Sequence, residues 1–325
     1  MNCTDVIKEI KIFGDVKKHN ENTIYIAFGI DKNYARPMGV FITSILENNE
    51  DVNFHVFADE IDISDQNKLD KTMSKYNSCC TWYKVDSEGF KNFPTTLNWT
   101  MGMYFRFIAG EYFYKKLSRI IYFDADMICI GKLDTLWNIK MDAGAICAVK
   151  DLGLPPGRLQ RINHHGDGYF NSGALLIDID KWHQENIFQR AMKMLNENPN
   201  IFEALDQDVL NLLYQNNVIW LGDKYNQGSN HSDKYPEDTV IIHFTGTPKP
   251  WLAWYYCNAH AGGYWKHYSD ISFWCDVPVI DTPRTTREIR LMSRTFFQKS
   301  KYFESAKWYL KYLFSKLQHM MKKFC

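Results

Sequence analysis

Ile120-Ile121-Tyr122-Phe123-Asp124-Ala125-Asp126 reads as a buried strand that ends in two carboxylates one residue apart. Successive strand side chains point to opposite faces, so Asp124 and Asp126 share a face and can converge on one hard cation. Oxygen donors of this kind suit Mg²⁺ or Mn²⁺, ions that complete their shells with waters and substrate phosphates. D-x-D also arises by chance, and aspartates at a strand end serve equally well as turn residues, so the pair takes its weight from the rest of the chain. A second stretch supplies that weight: in Val240-Ile241-Ile242-His243-Phe244-Thr245-Gly246-Thr247-Pro248-Lys249-Pro250-Trp251 a short apolar strand delivers a histidine and a Gly/Pro loop delivers a lysine. His243 offers an imidazole nitrogen to a metal already held by two carboxylates. Lys249 offers a point charge to a phosphate, and Gly246 lets backbone approach closely. Taken singly, each also reads as an ordinary core histidine or a solvated loop lysine.

At 325 residues the chain is long enough to bury a large core, and 45% hydrophobic with 23% charged residues excludes a disordered or fibrous class. The formal net charge of zero hides an asymmetry: residues 284–325 hold eleven Lys/Arg against Glu288 and Glu304, a surplus of nine that the rest of the chain balances with acid. Eight cysteines occur without a C-x-x-C pair or Cys/His zinc spacing, which favours structural thiols in a reduced compartment. The first residues lack an apolar signal core, and no stretch approaches the ~20 apolar residues of a bilayer span, so a cytoplasmic protein is expected.

Strand and helix patterns alternate along the chain, which predicts an α/β fold with a mainly parallel sheet covered on both faces. Strands are expected at 23–29, 52–58, 80–85, 119–124, 144–149 and 174–179. Helices are expected at 37–48, at 64–76 with Ser64 as N-cap, and at 103–113, 181–195 and 206–215. Residues 152–168, containing Pro155, Pro156, His164 and His165, read as a polar loop, since adjacent histidines rarely suit one tetrahedral ion. Residues 1–22 read as an N-terminal extension, 23–283 as one α/β domain and 284–325 as a basic, amphipathic helical tail. In that tail Phe303, Ala306, Leu310, Leu313, Phe314, Leu317, Met321 and Phe324 fall on one helical face, while Trp308 and Tyr312 fall on the polar side and leave packing against the body or a partner subunit open as an alternative.

The two opening stretches together resemble the pattern of glycosyltransferase family 8, whose members transfer sugar from a nucleotide diphosphate sugar with retention of configuration. Four further segments match in chain order: Thr23 to Tyr34, resembling the first strand and nucleotide-contacting turn; Tyr104-Phe105-Arg106-Phe107; the turn Tyr169-Phe170-Asn171-Ser172-Gly173; and the helix start Leu205-Asp206-Gln207-Asp208. Six ordered motifs are far more specific than any one of them. The stretch from Asn98-Trp99-Thr100 to Phe107, with the tail, is most similar to bacterial lipopolysaccharide core glucosyl- and galactosyltransferases.

The resemblance implies a GT-A-like nucleotide-binding domain with its ligands at the carboxyl ends of the strands. It implies a donor of UDP-glucose or UDP-galactose and an ion of Mg²⁺ or Mn²⁺ on Asp124, Asp126 and His243. Asp31, Asn33 and Tyr34 would contact uridine and ribose, and Arg106 and Asp124 would orient the donor sugar. Gly29, Ala125, Asp126, Gly246 and Lys249 would complete the donor site. Asp151 and Asn171 would hydrogen-bond sugar hydroxyls, with Asp206 and Gln207 nearer the reacting carbon. The expected acceptor is a hexose of the lipopolysaccharide core, reached by an enzyme lying on the anionic cytoplasmic face of the inner membrane through its tail. Self-association is compatible with the sequence; the acidic body opposes nucleic-acid binding. Two alternatives stand beside this reading: a glycogenin-like or galactinol-type transferase with a soluble or protein acceptor, and a noncatalytic carbohydrate- or membrane-binding protein on the same fold.

Overall fold

Val52–Ala58 is buried at every position, which is what a strand covered on both faces requires of its sequence. It lies inside an eight-stranded mixed sheet, seen in a computed structural model that describes residues 3–15, 22–91, 93–95, 100–198, 200–229, 234–255 and 259–324. Asn98, Trp99 and Tyr256 lie outside the described residues. In chain order the strands are β1 (Ile7–Gly14), β2 (Ile24–Ile30), β3 (Val52–Ala58), β4 (Cys79–Val85), β5 (Arg119–Phe123), β6 (Met127–Cys129), β7 (Ile146–Lys150), β8 (Phe170–Asp178), β9 (Val218–Leu221), β10 (Gln227–Gly228) and β11 (Ile241–His243). The large sheet runs β1-β4-β3-β2-β5-β8-β7-β9, and a small one runs β10-β11-β6. β4, β3, β2 and β5 are mutually parallel, β8 runs against both β5 and β7, and β9 is parallel to β7.

Apolar residues cover both faces of the sheet. One core packs Phe28, Phe54 and Phe123 under Val40, Phe41 and Ile45 of the helix Ala35–Asn48. The other packs Phe57, Tyr122 and Leu175 under the helices Phe105–Tyr112, Ile187–Glu197 and Asp206–Leu213. Helix Ala259–Ile271 and the turn after it extend the first core, where the Trp274 indole N–H donates to Asp65 Oδ1 at 2.6 Å.

Several boundaries differ from the sequence expectation, each for a local reason. Within the N-terminal extension residues 7–14 form β1, an edge strand antiparallel to β4 that has no place among the expected strands; with Ile10 and Ile12 exposed, it has no buried period to reveal it. The helix Ile63–Tyr76 is preceded by Asp62, not Ser64, because Asp62 holds the extended backbone and its carbonyl accepts Gln66 N–H. The single helix expected over 181–195 is two, Ile179–Gln184 and Ile187–Glu197, separated at Asn186 in the left-handed region (φ 52°) that asparagine tolerates. Phe170-Asn171-Ser172-Gly173 is the first part of β8 rather than a turn. Met101–Tyr104 winds as a 3₁₀ turn before the helix Phe105–Tyr112, and the loop after β7 contains a short helix at Arg158–Arg161.

The C-terminal segment is a helical hairpin. Thr286–Gln298 starts at a capping box in which Thr285 and Glu288 exchange hydrogen bonds with each other's backbone N–H. It pairs with Tyr302–Phe324 through reciprocal bonds of Ser293 and Ser305, each hydroxyl donating to the other's carbonyl at 2.9 Å. Leu291 and Met292 pack with Trp254, and Trp308 joins them. Trp308 and Tyr312, which fall off the apolar stripe, thus face the hairpin seam and Arg290. The stripe itself faces solvent, with Phe303 81%, Leu310 67%, Phe314 64% and Met321 68% exposed. Among the described residues, no helix is long and apolar enough to cross a membrane.

Candidate active site

Strand register brings the motif residues together. β2 pairs in parallel with β5, so the turn after Ile30 and the pair Asp124/Asp126 emerge at the same sheet end. β8 runs antiparallel to β5, which sets Gly173 beside Asp124; Asp124 N–H donates to Gly173 O at 2.7 Å. The small sheet adds His243 opposite Met127, and Phe244 N–H donates to Asp126 O at 2.9 Å. Around these ends lies a cleft of about 590 Å³, lined among others by Gly29, Asp31, Tyr34, Arg106, Asp124, Ala125, Asp126, Asp151, Asn171, Asp206, Gln207, His243, Gly246 and Lys249. A volume of this size suits a small-molecule ligand.

Asn33 stands outside the lining: it is exposed, and its backbone N–H donates to Asp31 Oδ1 at 2.8 Å. Asp31 is therefore the N-cap of the turn Lys32–Tyr34 as well as a cleft residue. The loop histidines separate, His164 buried against the Tyr169 ring and His165 exposed beside Asn163 Oδ1.

Asp124, Asp126 and His243 each present a ligand atom within 4.8 Å of the others. Two carboxylates and an imidazole fit a divalent ion of the Mg²⁺/Mn²⁺ type. Asn226 sets the histidine. Its Nδ2 donates to Asn171 Oδ1 at 2.8 Å, so its Oδ1 is the acceptor for the His243 Nδ1 proton, also at 2.8 Å. Nε2, the other ring nitrogen, is thereby aimed at Asp126 Oδ1, 3.2 Å away, and is the one left to a metal. Gly173 is obligatory here: a Cβ would lie 2.6 Å from His243 Cε1 and 2.7 Å from Asp124 Oδ2. Gly246 is needed for its backbone, at φ +72°.

Charge balance around the cleft is tight. Arg106, 3% exposed, donates through Nη2 to Asp124 Oδ1 at 2.8 Å and through Nε to the Met103 carbonyl at 2.9 Å, forms an ion pair with Asp206 with Nε 2.8 Å from Oδ2, and lays its guanidinium over the Tyr122 ring. Lys249 bridges Asp126 Oδ2 and the Phe244 carbonyl. Burial alone would raise the Asp126 carboxyl, but Lys249 and His243 outweigh it and hold the group below the usual carboxylate range. Asp206 goes the other way. Burial pushes it up to about 6; Arg106 opposes, and Asp124, which shares that guanidinium, adds to the rise.

The backbone before Asp206 is bent to aim it. Leu205, buried in the core, has φ 51° and ψ −113°, outside the regions a branched residue normally enters. Behind it Gln207 is fixed at both ends, Nε2 donating to Asp151 Oδ2 at 3.1 Å and Oε1 accepting from Ser172 N–H at 3.0 Å. Asp208 turns away from the cleft and is fully buried, accepting from Arg158 Nη1 at 2.8 Å, the Tyr169 hydroxyl at 2.6 Å and Ala204 N–H at 2.8 Å. Asn226, Arg158 and the backbone of Leu205 have no sequence signal of their own, since each acts through partners distant in the chain.

The Asp206 shift has a measurable consequence. With a native pKa of about 6 against about 3.9 in an unfolded chain, the folded protein holds a proton across that interval that the unfolded chain releases. The stability contributed by this site is therefore full below about pH 4 and declines as pH rises toward 6. Denaturation of the wild type and Asp206→Asn across pH 4 to 7.5 should show the wild type losing ground to the variant up to about pH 6, then a constant difference; a difference independent of pH contradicts the shift.

Comparison with known proteins follows the same outline. The family model described as Glycosyl transferase family 8 matches residues 25–255, and that of the family 8 C-terminal region matches 261–316. The lipopolysaccharide 1,3-galactosyltransferase of Salmonella typhimurium is 30% identical, covering 96% of this chain and 97% of the relative. Lipopolysaccharide glucosyltransferase WaaO of Escherichia coli is 32% identical over 94% of this chain and 95% of its own. The crystal structure of the galactosyltransferase LgtC in complex with donor and acceptor sugar analogues superposes with a TM-score of 0.69 at 23% identity, covering 81% of this chain and 99% of that one, which establishes the shared GT-A fold. With that fold, a family match across most of its length and relatives aligned almost end to end, this chain belongs to glycosyl transferase family 8 and is a glycosyltransferase.

Proposed function

We propose that the chain transfers glucose or galactose from a UDP-sugar to a hexose of the lipopolysaccharide core, with retention at the anomeric carbon and dependence on a divalent ion. The observation that carries this is the convergence of Asp124, Asp126 and His243 ligand atoms within 4.8 Å in a cleft that Lys249 also lines. The similarity to lipopolysaccharide galactosyl- and glucosyltransferases supports the donor and acceptor class. Asp124, Asp126 and His243 would hold Mg²⁺ or Mn²⁺, which when bound supplies Lewis-acid stabilisation of a departing diphosphate.

The chain's own groups do the rest. Lys249 neutralises phosphate charge as the bond to the anomeric carbon lengthens. Asp31 and Tyr34, at the end of β2, receive the nucleoside; Gly29, Ala125 and Gly246 let the donor approach the backbone. Arg106 fixes Asp124 and Asp206 at one spacing, so a sugar between them is oriented without rearrangement. Asp151 and Asn171 offer acceptors to sugar hydroxyls, and Gln207, clamped between Asp151 and Ser172, presents a fixed amide beside the reacting carbon.

The tail completes the reading. Its exposed Phe303, Leu310, Phe314 and Met321 and its surplus of nine positive charges suit the anionic cytoplasmic face of a membrane, where a lipid-linked acceptor lies. Each basic residue at such a surface contributes about 1 kcal/mol, and the attraction weakens as salt rises.

Turnover of UDP-glucose or UDP-galactose should require Mn²⁺ or Mg²⁺ and cease in excess EDTA, and Asp126→Ala or His243→Ala should each lower kcat by about 10²–10³. Full activity in EDTA, or near-normal rates in both variants, removes the metal from the reaction. For the tail, Leu310→Ser, Phe314→Ser and Leu317→Ser combined change exposed residues alone and leave the packing of Leu291, Met292 and Trp308 on Trp254 in place. This variant should no longer sediment with anionic liposomes and should transfer slowly to lipopolysaccharide, while hydrolysing UDP-sugar at the wild-type rate. Undiminished sedimentation contradicts membrane docking by this face.

A further inference from the structure

Both carboxylate oxygens of Asp126 already carry a partner. Oδ2 accepts from the Lys249 ammonium, and Oδ1 lies 3.2 Å from His243 Nε2. Lys249 is held a second time by the Phe244 carbonyl at 2.6 Å, and its side chain is 11% exposed, equal to that of Asp126. It is therefore docked rather than waving in solvent. Phe244 is one residue beyond a proposed metal ligand, and Asp126 is itself one. The loop carrying the lysine turns at Gly246 with φ +72°, where a Cβ would meet no atom within 4 Å, and is anchored on either side of Lys249 by the buried Pro248 and Pro250. A long, unbranched side chain on such a loop is held in place by its two polar contacts.

We propose that Lys249 is a resident cation of the metal pocket: its ammonium satisfies Asp126 until a nucleoside diphosphate draws it away, so that metal and nucleotide bind as a coupled pair. The inference rests on reading Asp124, Asp126 and His243 as a divalent-ion site. A metal arriving alone has to displace an ammonium from one of its own ligands and then sit beside the displaced positive charge, two costs that act against it. A diphosphate arriving with the metal removes both, because its oxygens offer Lys249 an equal partner and their negative charge offsets the crowding of cations. Coupling of this kind is reciprocal: the factor by which the nucleotide strengthens metal binding equals the factor by which the metal strengthens nucleotide binding. The pocket then resists loading with free metal in the absence of donor.

Direct Mn²⁺ binding, followed by the electron paramagnetic resonance signal of free Mn²⁺ with and without saturating UDP, tests this without reference to turnover. Lys249→Met removes the ammonium, and Lys249→Gln is the second variant should the first fail to give a cooperative thermal transition. Lys150→Met removes one positive charge from the same cleft without touching Asp126, since Lys150 lies over the Trp220 ring. Without UDP, Lys249→Met should bind Mn²⁺ at least tenfold tighter than the wild type, and Lys150→Met within about threefold of it. With UDP the advantage of Lys249→Met should vanish, so the enhancement of Mn²⁺ binding by UDP is at least tenfold smaller in that variant. Equal nucleotide-free affinity in the wild type and Lys249→Met overturns the proposal, as does an equal gain in Lys150→Met. A wild type and variants that all fail to bind Mn²⁺, even with UDP, instead overturn the metal site on which it rests.

Discussion

The geometry of the cleft depends on one buried cation. Arg106 sits at the start of the helix Phe105–Tyr112, almost without solvent contact, and holds Asp124 at the end of β5 and Asp206 at the start of the helix Asp206–Leu213 at equal distances. A guanidinium taken this far from water is stable where its hydrogen bonds are met, and here carbonyls of Met103 and Ser172 supplement the two carboxylates. Removing one partner of such a group typically costs about 3–5 kcal/mol, which makes the spacing of the two acids a property of the fold rather than of a loop. One guanidinium serves two carboxylates. Asp206, the more buried, keeps a raised pKa.

A second polar chain runs parallel to the first. Asn171, Asn226 and His243 are linked through one amide, and Gln207 links Asp151 to Ser172. Each chain joins elements that are distant in sequence, so both halves of the cleft are set against the same sheet end. Asp208 has a different task. Its bonds to Arg158 and Tyr169 tie the loop after β7 to the D-Q-D helix, which fixes a wall of the cleft.

The parts of this arrangement legible in the sequence are those written in contiguous residues. Ile120 to Asp126 and Val240 to Trp251 announce a strand and its terminal chemistry together, and period-two and apolar runs place β2, β3, β4 and β5 to within a residue, whereas β7 starts two residues later than expected and β8 four residues earlier. What stayed hidden depends on long-range partners. Asn226 is a lone loop asparagine until His243 and Asn171 close around it. Leu205 takes its left-handed backbone from the core that holds its side chain. The strand Ile7–Gly14 buries Phe13 alone and carries no alternating apolar stripe. In the tail the helical period was visible but its sense was not: Trp308 and Tyr312 look misplaced on a single helix, and become the seam once Thr286–Gln298 lies alongside.

The central claim is that one sheet end gathers a divalent ion, a nucleoside diphosphate and a sugar around ligands fixed by Arg106. Anomalous diffraction from crystals grown with Mn²⁺ and UDP tests it most directly. The account predicts a Mn²⁺ peak bonded to carboxylate oxygens of Asp124 and Asp126 and to His243 Nε2, with the diphosphate on the same ion. A Mn²⁺ peak elsewhere, or UDP bound in this cleft in the presence of Mn²⁺ with no peak between those three side chains, contradicts it.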